Sequence, residues 1–232
     1  MNKVIIDHFS DVLCVWAYAA QIRVDELRRE FGEQVQINYH FMPVFGVVEK
    51  RIGQGWRDKG GYAGFGEHVH HVCEQFPHVQ VCDGLWCGEV PTSSASPHLF
   101  LKAVQLLEQQ AIISCAGQPQ CQGRSRFEEM AWQLRLAFFR DNKNIARQDV
   151  QLELAKAAGL PTDSLLAALQ DGSAMAELCR DMELVDEYKV SGSPSYVLNE
   201  GRQKLYGNVG YKVIAANVQE ILSQPDHQAS WC

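Results

Sequence analysis

The order of apolar patterns along the chain predicts an α/β fold: one four-stranded mixed sheet with helices on its faces and a large helical insertion. Three observations predict it. Residues 1–43 read as strand, helix, strand; residues 184–232 close with two strands and a helix; the block between them, 44–183, is mostly helical in pattern. Neither end forms a stable sheet alone, because two strands are marginal in water. Joined, they make one sheet, and the middle block becomes an insertion into it.

The elements follow in order. Residues 4–9 are a short apolar run between polar residues, which predicts a buried strand. After the Ser10-Asp11 turn, Trp16, Ala20, Val24, Leu27 and Phe31 recur at helical spacing, and Gly32 ends the helix. Val35, Ile37, Tyr39 and Phe41 alternate with Gln36, Asn38 and His40, a strand with one buried face. These three elements make a βαβ unit with parallel strands, closed by Pro43.

Residues 46–66 are rich in glycine and lack an apolar period, so a mobile or ligand-lining loop is expected. Helices are predicted over 96–109, 127–139, 146–158 and 163–177, the last interrupted near Gly172. A break is predicted over 111–123, where Gly117, Pro119 and Gly123 fall. Strands return at 195–199 and 203–206, flanking the turn residues Glu200-Gly201-Arg202. Tyr211, Ile214, Ala215, Val218, Ile221 and Leu222 mark a closing amphipathic helix, and the tail from Gln224 has little to hold it.

At 232 residues the chain is long enough for a substantial core. Its net charge of -7, with no basic run, argues against a nucleic-acid surface. No stretch approaches a membrane span, and Val4-Ile5-Ile6 is too short for the apolar core of a signal peptide. A cytoplasmic protein is expected. Eight cysteines (Cys14, Cys73, Cys82, Cys87, Cys115, Cys121, Cys179 and Cys232) invite a disulfide framework. A chain so rich in core formers does not need one, and most thiols stay reduced in the cytoplasm.

Cys14 falls between the first strand and the first helix. Free N–H groups and the macrodipole at a helix start favour a thiolate. The expectation is an accessible nucleophile of depressed pKa, able to attack a disulfide sulfur or an electrophilic carbon. The competing reading is a buried structural cysteine. Position 17, where a partner thiol would stand, is alanine. Cys14 therefore cannot release a mixed disulfide through its own neighbour and needs an external thiol such as glutathione, or a distant cysteine.

His68, His70, His71 and Cys73, followed by Cys82, Cys87, Cys115 and Cys121, are zinc-ligand types. Their spacings contain no tight Cys-x2-Cys pair and the segment is irregular through Pro77, so no metal site is expected. A Cys82–Cys87 disulfide, or a meeting of either with Cys14, is the other reading.

Four segments carry a resemblance: Asp7-His8-Phe9-Ser10-Asp11-Val12-Leu13-Cys14-Val15-Trp16-Ala17-Tyr18, His40-Phe41-Met42-Pro43-Val44-Phe45, Val190-Ser191-Gly192-Ser193-Pro194-Ser195-Tyr196-Val197 and Leu205-Tyr206-Gly207-Asn208-Val209. They resemble the DsbA-like group of thioredoxin-fold proteins, which includes the FrnE type, kappa-class glutathione transferases and 2-hydroxychromene-2-carboxylate isomerases. The resemblance implies a thioredoxin fold with a helical insertion, Cys14 as nucleophile, and Pro194 as a cis-proline facing it.

It also implies that Ser193 offers its backbone to a peptide-like ligand. Gly207 and Asn208 stand where kappa-class members present Ser-Asp to the γ-glutamyl end of glutathione. Trp16 walls the sulfur or packs on the first strand. His8 and His40 either tune Cys14 or serve as structural histidines. Dithiol members carry Cys-Pro-Trp-Cys where this chain has Cys14-Val15-Trp16-Ala17. Transferases and isomerases use serine there, and a Cys14 thiolate would repel a glutathione thiolate, so mixed-disulfide chemistry is the more natural use.

The implied function is a DsbA-like thiol-disulfide oxidoreductase with one nucleophilic cysteine. Glutathione or a protein thiol would be the second participant, with no tightly bound cofactor, no nucleic-acid or membrane partner, and a homodimer by analogy with relatives. The alternatives are a kappa-class-like transferase or isomerase, and a non-catalytic thioredoxin-fold binding protein.

Overall fold

Strand β1 (Val4–Ser10) is buried along almost its whole length, its polar Asp7, His8 and Ser10 included. The computed structural model describes residues 3–114 and 123–223. Helix α1 (Val15–Phe31) follows and stops at Gly32, whose φ of 52° suits a residue without a Cβ. Strand β2 (Val35–Phe41) buries Val35, Tyr39 and Phe41 and exposes Gln36, as its alternation predicts.

The insertion holds α2 (Gly61–Cys73), α3 (Ala95–Gln109), α4 (Arg126–Phe139), α5 (Gln148–Ala157), α6 (Thr162–Gln170) and α7 (Ser173–Glu187). Helix α4 starts on a complete capping box: Ser125 Oγ accepts from the Glu128 N–H and the Ser125 N–H donates to the Glu128 carboxylate. Strands β3 (Ser195–Leu198) and β4 (Gln203–Tyr206) then form a hairpin, and α8 (Tyr211–Leu222) closes the fold.

The sheet order is β2-β1-β3-β4. Strand β1 runs parallel to β2, from Val4 opposite Val35 to Ser10 opposite Phe41, and antiparallel to β3, with Ile6 opposite Leu198. This is the mixed four-stranded sheet expected. One apolar core runs from the sheet into the insertion through Ile6, Leu27, Phe41, Phe100, Leu134 and Ile214. Tyr18 of α1 stacks on Phe139 of α4 with centroids 4.5 Å apart. Each fully buried Leu, Ile or Phe contributes about 1.5–3 kcal/mol.

A buried ionic cluster also ties insertion to sheet. Asp181 of α7 accepts from His40 Nδ1 at 2.8 Å, from Lys102 Nζ of α3 at 2.7 Å and from the Phe41 N–H at 2.8 Å. His40 Nε2 reaches Asp7 Oδ1 at 3.1 Å.

Two expectations are corrected. Residues 46–66 are helical: a π-helical turn Glu49–Gln54, a 3-10 turn Arg57–Lys59 and the start of α2 replace the expected loop. Neither winding repeats at 3.6 residues, so no helical period shows in the sequence. Residues 163–177 are not one interrupted helix, because α6 and α7 are separate, divided at Asp171 and Gly172 (φ 86°), and α7 runs past residue 183 to Glu187. Most of the predicted break at 111–123, with Cys115, Gly117, Pro119 and Cys121, lies outside the described residues. So does the tail from Gln224, including Cys232.

Candidate active site

Cys14 is the N-cap of α1, with extended φ and ψ of -82° and 115°. Its N–H donates to the Asp11 carbonyl at 3.1 Å and its carbonyl accepts from the Tyr18 N–H at 3.0 Å, so the residue is fixed at the strand-to-helix turn. The thiol donates to the Ser193 carbonyl at 3.3 Å. The two motifs, far apart in sequence, therefore meet. The Asp11 N–H donates to Ser193 Oγ at 2.9 Å and holds them together a second time.

The expected exposure and acidity of Cys14 are both overturned. The residue is only 6% exposed. Burial pushes the thiol pKa up, and Asp11 adds to that; hydrogen bonds from Ser193 and the Ala17 and Trp16 N–H groups oppose it without prevailing. Desolvation outweighs the end of the helix. Yet the sulfur is not sealed in hydrocarbon, because Cys14 lines a cavity of about 520 Å³.

The cavity is lined by the aromatic residues Trp16, Phe45, Trp56, Phe65 and Tyr206 and by Arg51, His68, Ser191, Gly192 and Ser193. The Ser193–Pro194 bond is cis. Ser195 Oγ donates to the Gly192 carbonyl at 2.6 Å and the Gly207 N–H to the Pro194 carbonyl at 2.8 Å, which pins the loop. A Cβ at Gly192 would stand 2.7 Å from the Tyr206 ring, so glycine alone lets that ring lie across the loop. Arg51 stacks over Phe45 with its guanidinium carbon 5.8 Å from the ring centroid. His68 tilts against Trp56 at 5.1 Å, and partial burial pushes its pKa down.

Asp11 organises the floor behind the sulfur. Its fully buried carboxylate accepts from the Leu13 N–H at 2.8 Å, the Phe45 N–H at 2.9 Å and the Ser94 hydroxyl at 2.7 Å. Burial works to raise its pKa, but His98 and these donors hold it below the usual carboxylate range. His98 Nε2 accepts the Val12 N–H at 3.1 Å and lies 3.6 Å from Asp11 Oδ1.

Among the other residues singled out in the sequence, Trp16 is half-buried, edge-on to Phe76, and lines the cavity. Gly207 and Asn208 do not line it; Asn208 accepts a hydrogen bond from Arg23 of α1 instead. His8 is buried with both ring nitrogens unpartnered, and burial pushes its pKa down to about 3. His40 belongs to the ionic cluster with Asp7 and Asp181.

Among the described residues no three His, Cys, Asp or Glu side chains converge as metal ligands. Cys82 and Cys87 are both free thiols, which excludes a disulfide between them, and neither lines the Cys14 cavity. Arg51, Trp56, Ser94 and His98 leave no mark in the sequence, since each reaches the site from a remote element; Asp11 is local, but nothing in the sequence shows its bonds to Phe45 and Ser94. The glycine-rich stretch 46–66 was the one usable signal.

The model of the DSBA-like thioredoxin domain family matches residues 5–219. The ClpXP adapter protein SpxH of Halalkalibacterium halodurans is 25% identical over 232 residues, covering 95% of this chain and 68% of that protein. A candidate protein disulfide isomerase from Nitrosomonas europaea superposes with a TM-score of 0.73 at 16% identity, over 97% of this chain and 100% of that one. The cytosolic disulfide reductase DsbM of Pseudomonas aeruginosa superposes with a TM-score of 0.65 at 18% identity, over 94% of this chain and 98% of its own. DsbM has also been solved with GSH. At these identities the two structures establish fold alone.

Proposed function

The chain belongs to the family of DSBA-like thioredoxin domains, and from that premise we propose that it is a thiol-disulfide oxidoreductase working through the single thiol of Cys14, with glutathione as its second thiol. The observation that carries this reading is the geometry of one sulfur. Cys14 stands at a helix start, at the Ser193 carbonyl, on a cavity that no other described cysteine lines.

The Cys14 thiol first loses its proton to solvent in the cavity. The thiolate then attacks one sulfur of a disulfide; that S–S bond breaks, a mixed disulfide forms on Cys14, and the departing thiolate takes up a proton. With Ala17 in place of a resolving thiol, release falls to glutathione. Its thiolate attacks the substrate sulfur of the mixed disulfide and frees Cys14 as thiolate. The enzyme returns unchanged, and the substrate leaves as a glutathione mixed disulfide.

The cavity suits this use. Aromatic walls accept the apolar part of a peptide, and Arg51 supplies a cation for a glutathione carboxylate. A cytoplasmic setting, where glutathione is abundant, belongs to the same proposal; no described helix is long and apolar enough to cross a membrane.

The test is glutathione-dependent reduction of hydroxyethyl disulfide. Turnover by the wild type and loss in Cys14→Ser support the reading. Chlorodinitrobenzene conjugation that survives Cys14→Ser, with no disulfide reduction, would point instead to a transferase or isomerase. A second reading, a thioredoxin-fold binding protein, is favoured by the burial and raised pKa of Cys14. It is chosen if Cys14→Ala changes no thiol reaction.

A further inference from the structure

Arg135 of α4 carries a charge that no ion pair neutralises among the described residues. It is 3% exposed. Nη1 donates to Gln21 Oε1 at 2.9 Å, Nη2 donates to Ser10 Oγ at 3.2 Å, and Nε has no partner. Both acceptors are neutral. An arginine does not discharge by losing its proton, so this is a permanent cation in the interior, and a buried cation is costly unless an anion answers it.

The two acceptors locate the charge. Ser10 is the last residue of β1, and Gln21 lies about two turns into α1. The guanidinium thus sits in the wedge between strand and helix whose apex is the Cys14 turn. Asp11 is the nearest carboxylate in sequence, but its oxygens are occupied by Leu13, Phe45 and Ser94.

The other groups facing this region are cationic or neutral. His8 of β1 is held neutral, Tyr39 of β2 bonds Arg28 of α1, and His98 of α3 accepts the Val12 N–H and faces Asp11. Arg124, just before α4, pairs with Asp25. Arg51 and His68 face the sulfur from the cavity side. The acidic groups that favour the Arg135 charge are, in order, the Cys14 thiol, the Tyr39 hydroxyl and the Asp11 carboxylate.

We propose that Arg135 is a positioning residue that stabilises the Cys14 thiolate through the protein interior, touching neither sulfur nor substrate. Burial disfavours the Arg135 charge, and Cys14 is the neighbour that does most to favour it. The inference rests on the reading of Cys14 as nucleophile and explains how so buried a thiol ionises.

The test is the pH dependence of iodoacetamide alkylation at Cys14, followed on the Cys14 peptide by mass spectrometry. The helix rise puts Gln21 roughly 10 Å along α1 from Cys14, and one charge at that range in an effective dielectric near 20 is worth about one pH unit. Arg135→Met is expected to raise the apparent pKa by about one unit, slowing alkylation about tenfold below it, while Arg135→Lys stays near the wild type.

Should Arg135→Met not fold, Gln21→Glu carries the test. It places a carboxylate in the same wedge, and a coupled Cys14 must feel it by a comparable rise. An unchanged pKa in Gln21→Glu or in folded Arg135→Met overturns the proposal, as does a shift in Arg135→Lys as large as that in Arg135→Met. Alkylation is read without any disulfide substrate. A chain that shows the shift yet reduces no disulfide refutes the oxidoreductase reading and keeps this one; turnover without the shift does the reverse.

Discussion

Ala17 stands three residues after Cys14 and its N–H favours the thiolate, so a thiol at position 17 would lie on the same helical turn. Ala17→Cys is therefore expected to resolve its own intermediate. After one equivalent of a disulfide, intact mass should show the wild type retaining a mixed disulfide. The variant should instead close an internal bond between Cys14 and the introduced thiol, with release of both substrate thiols. Arg51 belongs to the same scale. It is exposed, so its contribution is screened, and Arg51→Met should raise the KM for glutathione roughly three- to tenfold with a smaller change in kcat. Cys14 and Pro194 were legible because each sits in a compact local motif. Arg51, Ser94 and His98 were not, since the site draws them from separate elements and no local pattern marks a long-range contact. Burial of Cys14 does not show in the sequence for the same reason: Phe45, Trp56 and Phe65 come to its cavity from the insertion.

Elements with a clean period were read correctly. Strand β2 alternates and α1 keeps its stripe to Phe31, because one face of each meets the core. The π-turn at Glu49–Gln54 escaped because its winding leaves no 3.6-residue signature, and it is the turn that carries Arg51 to the cavity. Position Gly172 showed as a break in one helix and is a junction of two. The start of α4 offers a separate test. Ser125→Ala removes the acceptor of the capping box, which should cost about 1 kcal/mol and lower Tm by about 2–4 °C in a thermal melt.

At the scale of the molecule, the His40, Asp7, Asp181 and Lys102 cluster fastens α3 and α7 to the sheet. Burial works to lower the His40 pKa, but the carboxylates of Asp181 and Asp7 prevail and raise it above 6.5. The stability this gives is complete below 6.5 and lost as pH rises through the raised value. Burial works to raise Asp7, but its bonds to His40 and Asn38 lower it below 3.8. Its contribution is present above 3.8 and lost as pH falls through the lowered value. Melts of His40→Gln against the wild type should differ most between these limits and converge as pH rises past the His40 value. A gap that widens on the alkaline side would show that His40 is not held protonated.

Capture of the intermediate tests the central claim most directly. The protein is mixed with oxidised glutathione, quenched in acid, and peptide-mapped by mass spectrometry. One glutathione is expected on the Cys14 peptide, lost on adding reduced glutathione and absent in Cys14→Ser. Adducts confined to the exposed thiols Cys87 and Cys179, with Cys14 unmodified, would contradict it.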